Sequence, residues 1–127
     1  MKYLLDTHTA IWALENNNKL SNTVKGIILE DTLSLCASIA SAWEIAIKIS
    51  IGKLKFDGGS TFFLDTLRMS GVEIVPIKDS YVACVEKLPL YHRDPFDRIL
   101  ITTAMRENLI VLTNDDCFSN YEIQTLW

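Results

Sequence analysis

Lys2-Tyr3-Leu4-Leu5-Asp6-Thr7-His8-Thr9-Ala10-Ile11-Trp12-Ala13-Leu14-Glu15 is the stretch whose reading decides the architecture. Lys2 to Leu5 is a short apolar run with no alternation, the pattern of a strand buried on both faces. The spacing predicts a helix over Thr7 to Glu15, so the chain opens with a buried strand leading into a helix. A carboxylate, Asp6, stands at the junction.

Working outward, the same unit recurs. Asn16, Asn17 and Asn18 break the first helix, and Ser21 is a cap for a second running to about Glu30. Leu33 to Ala37 reads as a strand and Ser38 to Ile51 as a mostly apolar helix whose polar stripe gathers Ser41, Glu44 and Lys48. Gly52, Gly58 and Gly59 punctuate a loop before a helix over Ser60 to Met69. Val72 to Ile77 is a third strand, and Asp79 to Leu88 a helix ended by Pro89. In His92-Arg93-Asp94-Pro95-Phe96-Asp97-Arg98, Asp94 is an N-cap, Pro95 fits the first helical position, and the helix continues to about Glu107. Ile110 to Thr113 is a fourth strand and Glu122 to Leu126 a fifth. Strands alternating with helices imply a single α/β domain: a three-layer α/β/α sandwich around a mostly parallel sheet of four or five strands.

Bulk properties narrow the function. A chain of 127 residues buries a core without staples, and 49% apolar with 22% charged residues is ordinary for a globular domain. The formal net charge of -4 argues against non-specific duplex binding through a basic surface, although a cation held among carboxylates reverses that logic locally. Cys36, Cys84 and Cys117 are odd in number with no C-x-x-C pair, so reduced core thiols are expected rather than a disulfide framework or zinc site. No secretion signal or membrane span is legible, which makes the cytoplasm the expected compartment.

In open parallel sheets, ligands bind beyond the carboxyl ends of the strands. Asp6 closes the first strand, and Asp115 lies two residues after the fourth. Glu44 is one turn into the helix after the second strand, and Asp97 is in the first turn of the helix leading into the fourth. Four carboxylates from distant segments are thus expected at one rim. Hard oxygen donors with no His or Cys cluster favour Mg2+ or Mn2+, which suits hydrolysis of a phosphodiester. Each acid also has an ordinary explanation. Asp6 caps a helix, Asp97 favours a helix dipole, Glu44 pairs with Lys48 at i, i+4, and Thr113-Asn114-Asp115-Asp116 is a turn. Asp94 is assigned to capping alone, and Asp116 to solvent.

Together these segments resemble the PIN-domain family, and within it the VapC toxins of bacterial toxin-antitoxin pairs. Leu4-Leu5-Asp6-Thr7-His8 with Ile11-Trp12 is similar to the family's opening, and Ser41-Ala42-Trp43-Glu44-Ile45 to its second motif. Asp94-Pro95-Phe96-Asp97-Arg98 resembles the third motif and Leu112-Thr113-Asn114-Asp115 the last, while Tyr121 to Trp127 resembles the terminal strand. The resemblance covers nearly the whole chain. It implies a Mg2+- or Mn2+-dependent endoribonuclease, usually a homodimer, inhibited by an antitoxin whose C-terminal segment occupies the active-site groove. The same resemblance implies Asp6 and Asp97 as direct or water-mediated metal ligands, Glu44 as a ligand or orienter of the attacking water, Asp115 as the fourth acid of the metal site, holding a second ion or supporting the first, and Thr113 as support.

Arg93, Arg98 and Lys48 are candidates for phosphate contacts or for pairing with carboxylates. Two rival readings stand beside the nuclease: a metal-free ribonuclease with His8 and His92 as acid and base, and a non-catalytic module of the same fold that binds RNA or a protein partner.

Overall fold

A computed structural model of the chain describes residues 2–127. Five parallel strands form one sheet: β1 (Tyr3–Leu5), β2 (Leu35–Ser38), β3 (Glu73–Val75), β4 (Ile110–Leu112) and β5 (Gln124–Leu126), in the spatial order β3-β2-β1-β4-β5. The helices between them are α1 (Thr7–Leu14), α2 (Asn22–Glu30), α3 (Ile39–Ser50), α4 (Gly59–Met69), α5 (Asp79–Lys87) and α6 (Pro95–Glu107). The expected α/β/α sandwich is therefore the fold, and the sheet is wholly parallel.

Successive residues of a strand face opposite sides of the sheet, and the core divides accordingly. Leu5, Leu35, Ala37 and Leu112 face a layer with Ala10, Ile11, Val24, Ile45 and Phe63, from α1 to α4. Leu4, Cys36 and Val111 face the other layer, with Tyr81, Leu100, Ile101, Ala104 and Phe118. Because both faces are covered, β1 had to be apolar without alternation. Burial pushes the Cys36 thiol up to about 12, as a core thiol requires, whereas Cys84 and Cys117 are only half-buried and stand outside the core.

All five strands are shorter than expected, β1 and β4 by one residue and β5 by two, and β2 and β3 have a clear local reason. Leu33 lies in a 3-10 turn over Thr32–Ser34 and is 78% exposed, because the Ser34 hydroxyl bonds the Asp31 carboxylate and closes a turn before β2 begins. β3 stops at Val75 because Pro76 has no N–H for the ladder. Among the described residues no helix is long and apolar enough to cross a membrane.

The chain runs outward from β1 through β2 to β3, then returns to place β4 on the other side of β1. That reversal makes the gap between the carboxyl ends of β1 and β4 the switch point of the sheet, where helices diverge and leave a crevice. Asp6 N–H donates to Leu112 O across this gap at 3.3 Å, and Thr9 Oγ1 donates to the same carbonyl at 2.8 Å.

Candidate active site

Asp6 follows β1 directly and caps α1, its Oδ1 accepting the Thr9 N–H at 2.9 Å. Its Oδ2 accepts the hydroxyl of Thr113, which follows β4. Thr113 Oγ1 in turn accepts the backbone N–H of Asp115 at 3.0 Å. The last turn of one strand thus positions the carboxylate of the next, and Asp6 is only 5% exposed.

Asp97 occupies the first turn of α6. Asp94 caps that helix, its Oδ1 accepting the N–H groups of Phe96 at 2.9 Å and Asp97 at 3.0 Å, with Pro95 at the first helical position. Asp94 therefore serves the helix, as its place before proline implies.

His92 connects this helix to the strand ends. Its Nε2 lies 2.9 Å from Asp115 Oδ2 and 3.1 Å from Asp97 Oδ2. A hydrogen-bonded chain consequently runs from Asp6 through Thr113, Asp115 and His92 to Asp97. Among the described residues, His92, Asp97 and Asp115 are the group whose donor atoms stand close enough to share an ion, all within 4.8 Å of one another.

Glu44 projects from α3, 3% exposed, and its Oε2 accepts from Lys48 Nζ at 2.5 Å. Its Oε1 is the one buried side-chain polar atom without a hydrogen-bond partner among the described residues. A bare buried carboxylate oxygen is costly. A cation or a hydrogen-bond donor there would satisfy it.

The electrostatics tell the same story from the other side of the site. Burial first, and then the negative charges of Asp94, Glu44 and Asp6, push the Asp97 carboxyl up to about 7, against the opposing pull of His92. Glu44 and Asp6 thus act on Asp97 even where no bond joins them. Oxygen donors, a bare buried Oε1 and a crowded Asp97 suit a hard divalent cation, so the residues fit Mg2+ or Mn2+. A crevice of about 400 Å³ opens over the cluster, lined by Asp6, His8, Trp12, Asp97, Asn114 and Asp115.

The three basic candidates separate. Arg98 is 8% exposed and donates to the carbonyls of Val85, Leu88, Pro89 and His92 at 3.0–3.2 Å. It satisfies the end of α5 and the loop after it, so it neither grips phosphate nor pairs with a carboxylate. Lys48 pairs with Glu44 and stands near Asp94 and Asp97. Arg93 is exposed, with no ion pair among the described residues.

The sequence presents His92 only as a candidate acid-base catalyst, whereas in the fold it joins two acids. Its position two residues before Asp94 was the available signal. His8 is exposed and packs against Trp12, ring centroids 5.8 Å apart. A second depression, at the amino ends of the strands, holds Lys2, Glu73, Lys78, Tyr81 and Glu107, whose polar groups pair with one another.

Comparison with known proteins agrees with this fold. The chain resembles the crystal structures of VapBC2 from Rickettsia felis bound to a promoter DNA fragment (18% identity, TM-score 0.71, covering 99% of this chain and 98% of that one) and of DNA-bound VapBC from Salmonella typhimurium (17%, 0.71, 99% and 97%). It also resembles FitAcB from Neisseria gonorrhoeae (16%, 0.68, 98% and 96%). No curated protein sequence matches it significantly. The PIN domain profile matches residues 3–124, nearly the full length, and the chain belongs to the PIN-domain family.

Proposed function

We propose that this protein is a Mg2+- or Mn2+-dependent endoribonuclease and the toxin of a toxin-antitoxin pair. Family membership implies a nuclease. The observation that carries the metal-dependent reading is the group at the switch point: donor atoms of His92, Asp97 and Asp115 lie within 4.8 Å of one another, and Asp97, pushed up first by burial and then by nearby acids, feels the charge of Glu44, whose buried Oε1 has no partner among the described residues. An acidic protein with such a cluster needs a cation before it can approach a phosphodiester.

Asp6 and Asp97 are the principal ligands, Glu44 holds the ion or orients the attacking water, and Asp115 completes the acidic rim. Mg2+ or Mn2+ bound there supplies charge neutralisation for the phosphate and a more acidic water. Thr113 keeps Asp6 oriented through its hydroxyl. Arg93 and Lys48 remain for the phosphate backbone, with Arg98 committed to carbonyls. Two further points belong to the same reading: a homodimer working in the cytoplasm, and an antitoxin partner, the latter supported by the likeness to VapBC complexes.

The metal-free alternative is not favoured, because both ring nitrogens of His92 are engaged, Nδ1 by the Asp94 N–H and Nε2 by carboxylates. The test is cleavage of RNA by the purified protein in Mg2+, in Mn2+ and in EDTA, beside Asp6→Asn and Asp97→Asn. Loss of cleavage in EDTA and in both variants is expected. Variants that cleave as well as the parent would sink the proposal, and activity in EDTA would restore the histidine chemistry. A fully folded parent that binds RNA without cutting it would point to the non-catalytic module.

A further inference from the structure

We propose that His92 is a positioning residue of the metal site. Its Nε2–H holds the carboxylates of Asp97 and Asp115 at one ion, and the backbone N–H of Asp94 selects the ring tautomer that makes this possible. The inference rests on reading the acidic cluster as a metal site.

One donor beside the ring cannot change its role. The backbone N–H of Asp94 points at His92 Nδ1 at 3.2 Å, and an amide N–H has nothing to accept. Nδ1 therefore presents its lone pair, and the ring proton sits on Nε2. That proton faces Asp115 Oδ2 at 2.9 Å and Asp97 Oδ2 at 3.1 Å. Two carboxylates this close repel unless something positive lies between them, and the Nε2–H is that group in this structure.

The ring is built in from other sides as well. It packs edge-on against Phe118, with centroids 5.6 Å apart and planes at 85°. The His92 backbone N–H donates to the Tyr121 hydroxyl at 2.7 Å, and that hydroxyl donates to Pro89 O at 2.7 Å. The side chain is 13% exposed. A residue so constrained brings precision to whatever it touches. It touches two acids from segments otherwise joined only through the fold, the start of α6 and the turn after β4.

The same geometry argues against His92 as a ligand itself. Ligation through Nε2 would move the ring proton to Nδ1, directly against the Asp94 N–H. Asp94 thus has a second use beyond its cap: its side chain starts α6, while its backbone orders the group that steadies Asp97.

The experiment titrates Mn2+ into wild type, His92→Ala and His92→Gln, reading free Mn2+ by electron paramagnetic resonance, and records long-range proton–nitrogen correlations of the His92 ring in metal-free wild type. The Ala variant is expected to bind Mn2+ about 10–100-fold more weakly, the usual cost of removing a group that orients a ligand. The Gln variant, whose amide N–H extends toward the place of Nε2–H, should recover most of that loss. The ring should show the Nε2–H tautomer.

Unchanged or tighter Mn2+ binding by the Ala variant overturns the proposal, and so does an Nδ1–H tautomer. If the Ala variant does not fold, the Gln variant and the ring spectrum decide alone. Wild type without Mn2+ affinity would overturn the metal reading along with this one. Wild type that binds beside an indifferent Ala variant would remove only the role of His92.

Discussion

Thr113 donates its hydroxyl to Asp6, so the residue following β4 orients the carboxylate that follows β1. The same oxygen accepts the Asp115 N–H at 3.0 Å. One side chain thus sets two of the acids. Thr113→Val keeps the shape but leaves a buried carboxylate oxygen and a backbone N–H short of a partner. We expect a loss of about 1–3 kcal/mol of stability in urea unfolding of the metal-free protein. Thr113→Ser should recover most of it. A valine variant as stable as the parent would show that the hydroxyl contributes nothing.

Asp97 predicts a pH dependence whose sign is opposite to that of an ordinary salt-bridged acid. Its folded pKa is raised to about 7, above the usual carboxylate value of 3.8. The folded state therefore binds its proton more tightly than the unfolded chain does. The stabilisation is complete below pH about 4 and is lost as pH rises through about 7. Thermal melts of metal-free protein should show the melting temperature falling over that window, and Asp97→Asn should flatten the fall. Added Mn2+ should stabilise the parent more at pH 8 than at pH 5, because the ion competes with the proton. Parallel profiles for parent and variant would contradict the assignment.

How much of this was legible in advance follows from the range of each interaction. The strand-then-helix units, the Asp94-Pro95 start of α6 and the crowding of acids at the carboxyl edge come from local pattern and topology, which a sequence displays. The roles of His92 and Arg98 do not. His92 meets Asp115 across 23 positions, and Arg98 collects carbonyls from Val85 to His92. No propensity or periodicity encodes such meetings, because they depend on how the loop after α5 folds back over α6. The late start of β2 and the early end of β3 lie between: Pro76 was readable, while the turn closed by Asp31 and Ser34 was not.

Arg98 should behave as a structural residue despite standing one position from Asp97. Its guanidinium serves four carbonyls, and a lysine ammonium cannot match that planar fork. Arg98→Lys should cost about 2–3 kcal/mol in chemical denaturation. RNA binding per folded molecule, measured with the catalytic acids removed, should be nearly unchanged. A stable Arg98→Lys protein with much weaker RNA binding would return this arginine to the phosphate backbone.

Lys48 and Glu44 offer the sharpest separation of charge from packing. Glu44 is 3% exposed, with Oε2 on Lys48 and Oε1 on nothing. Lys48→Met removes the one ionic partner, and the buried charge then stands alone, at a cost of about 1–3 kcal/mol. Glu44→Gln in the Met background removes the charge that needed a partner, so the double variant should be more stable than Lys48→Met alone. Non-additivity of that kind is what a direct pair produces in a double-mutant cycle. Mn2+ adds a second reading of the same pair. It should stabilise Lys48→Met at least as much as the parent, because the ion takes over the work of the ammonium, yet it should do little for Glu44→Gln. If Mn2+ instead stabilises Glu44→Gln as fully as the parent, Glu44 lies outside the metal site and its bare oxygen has another explanation.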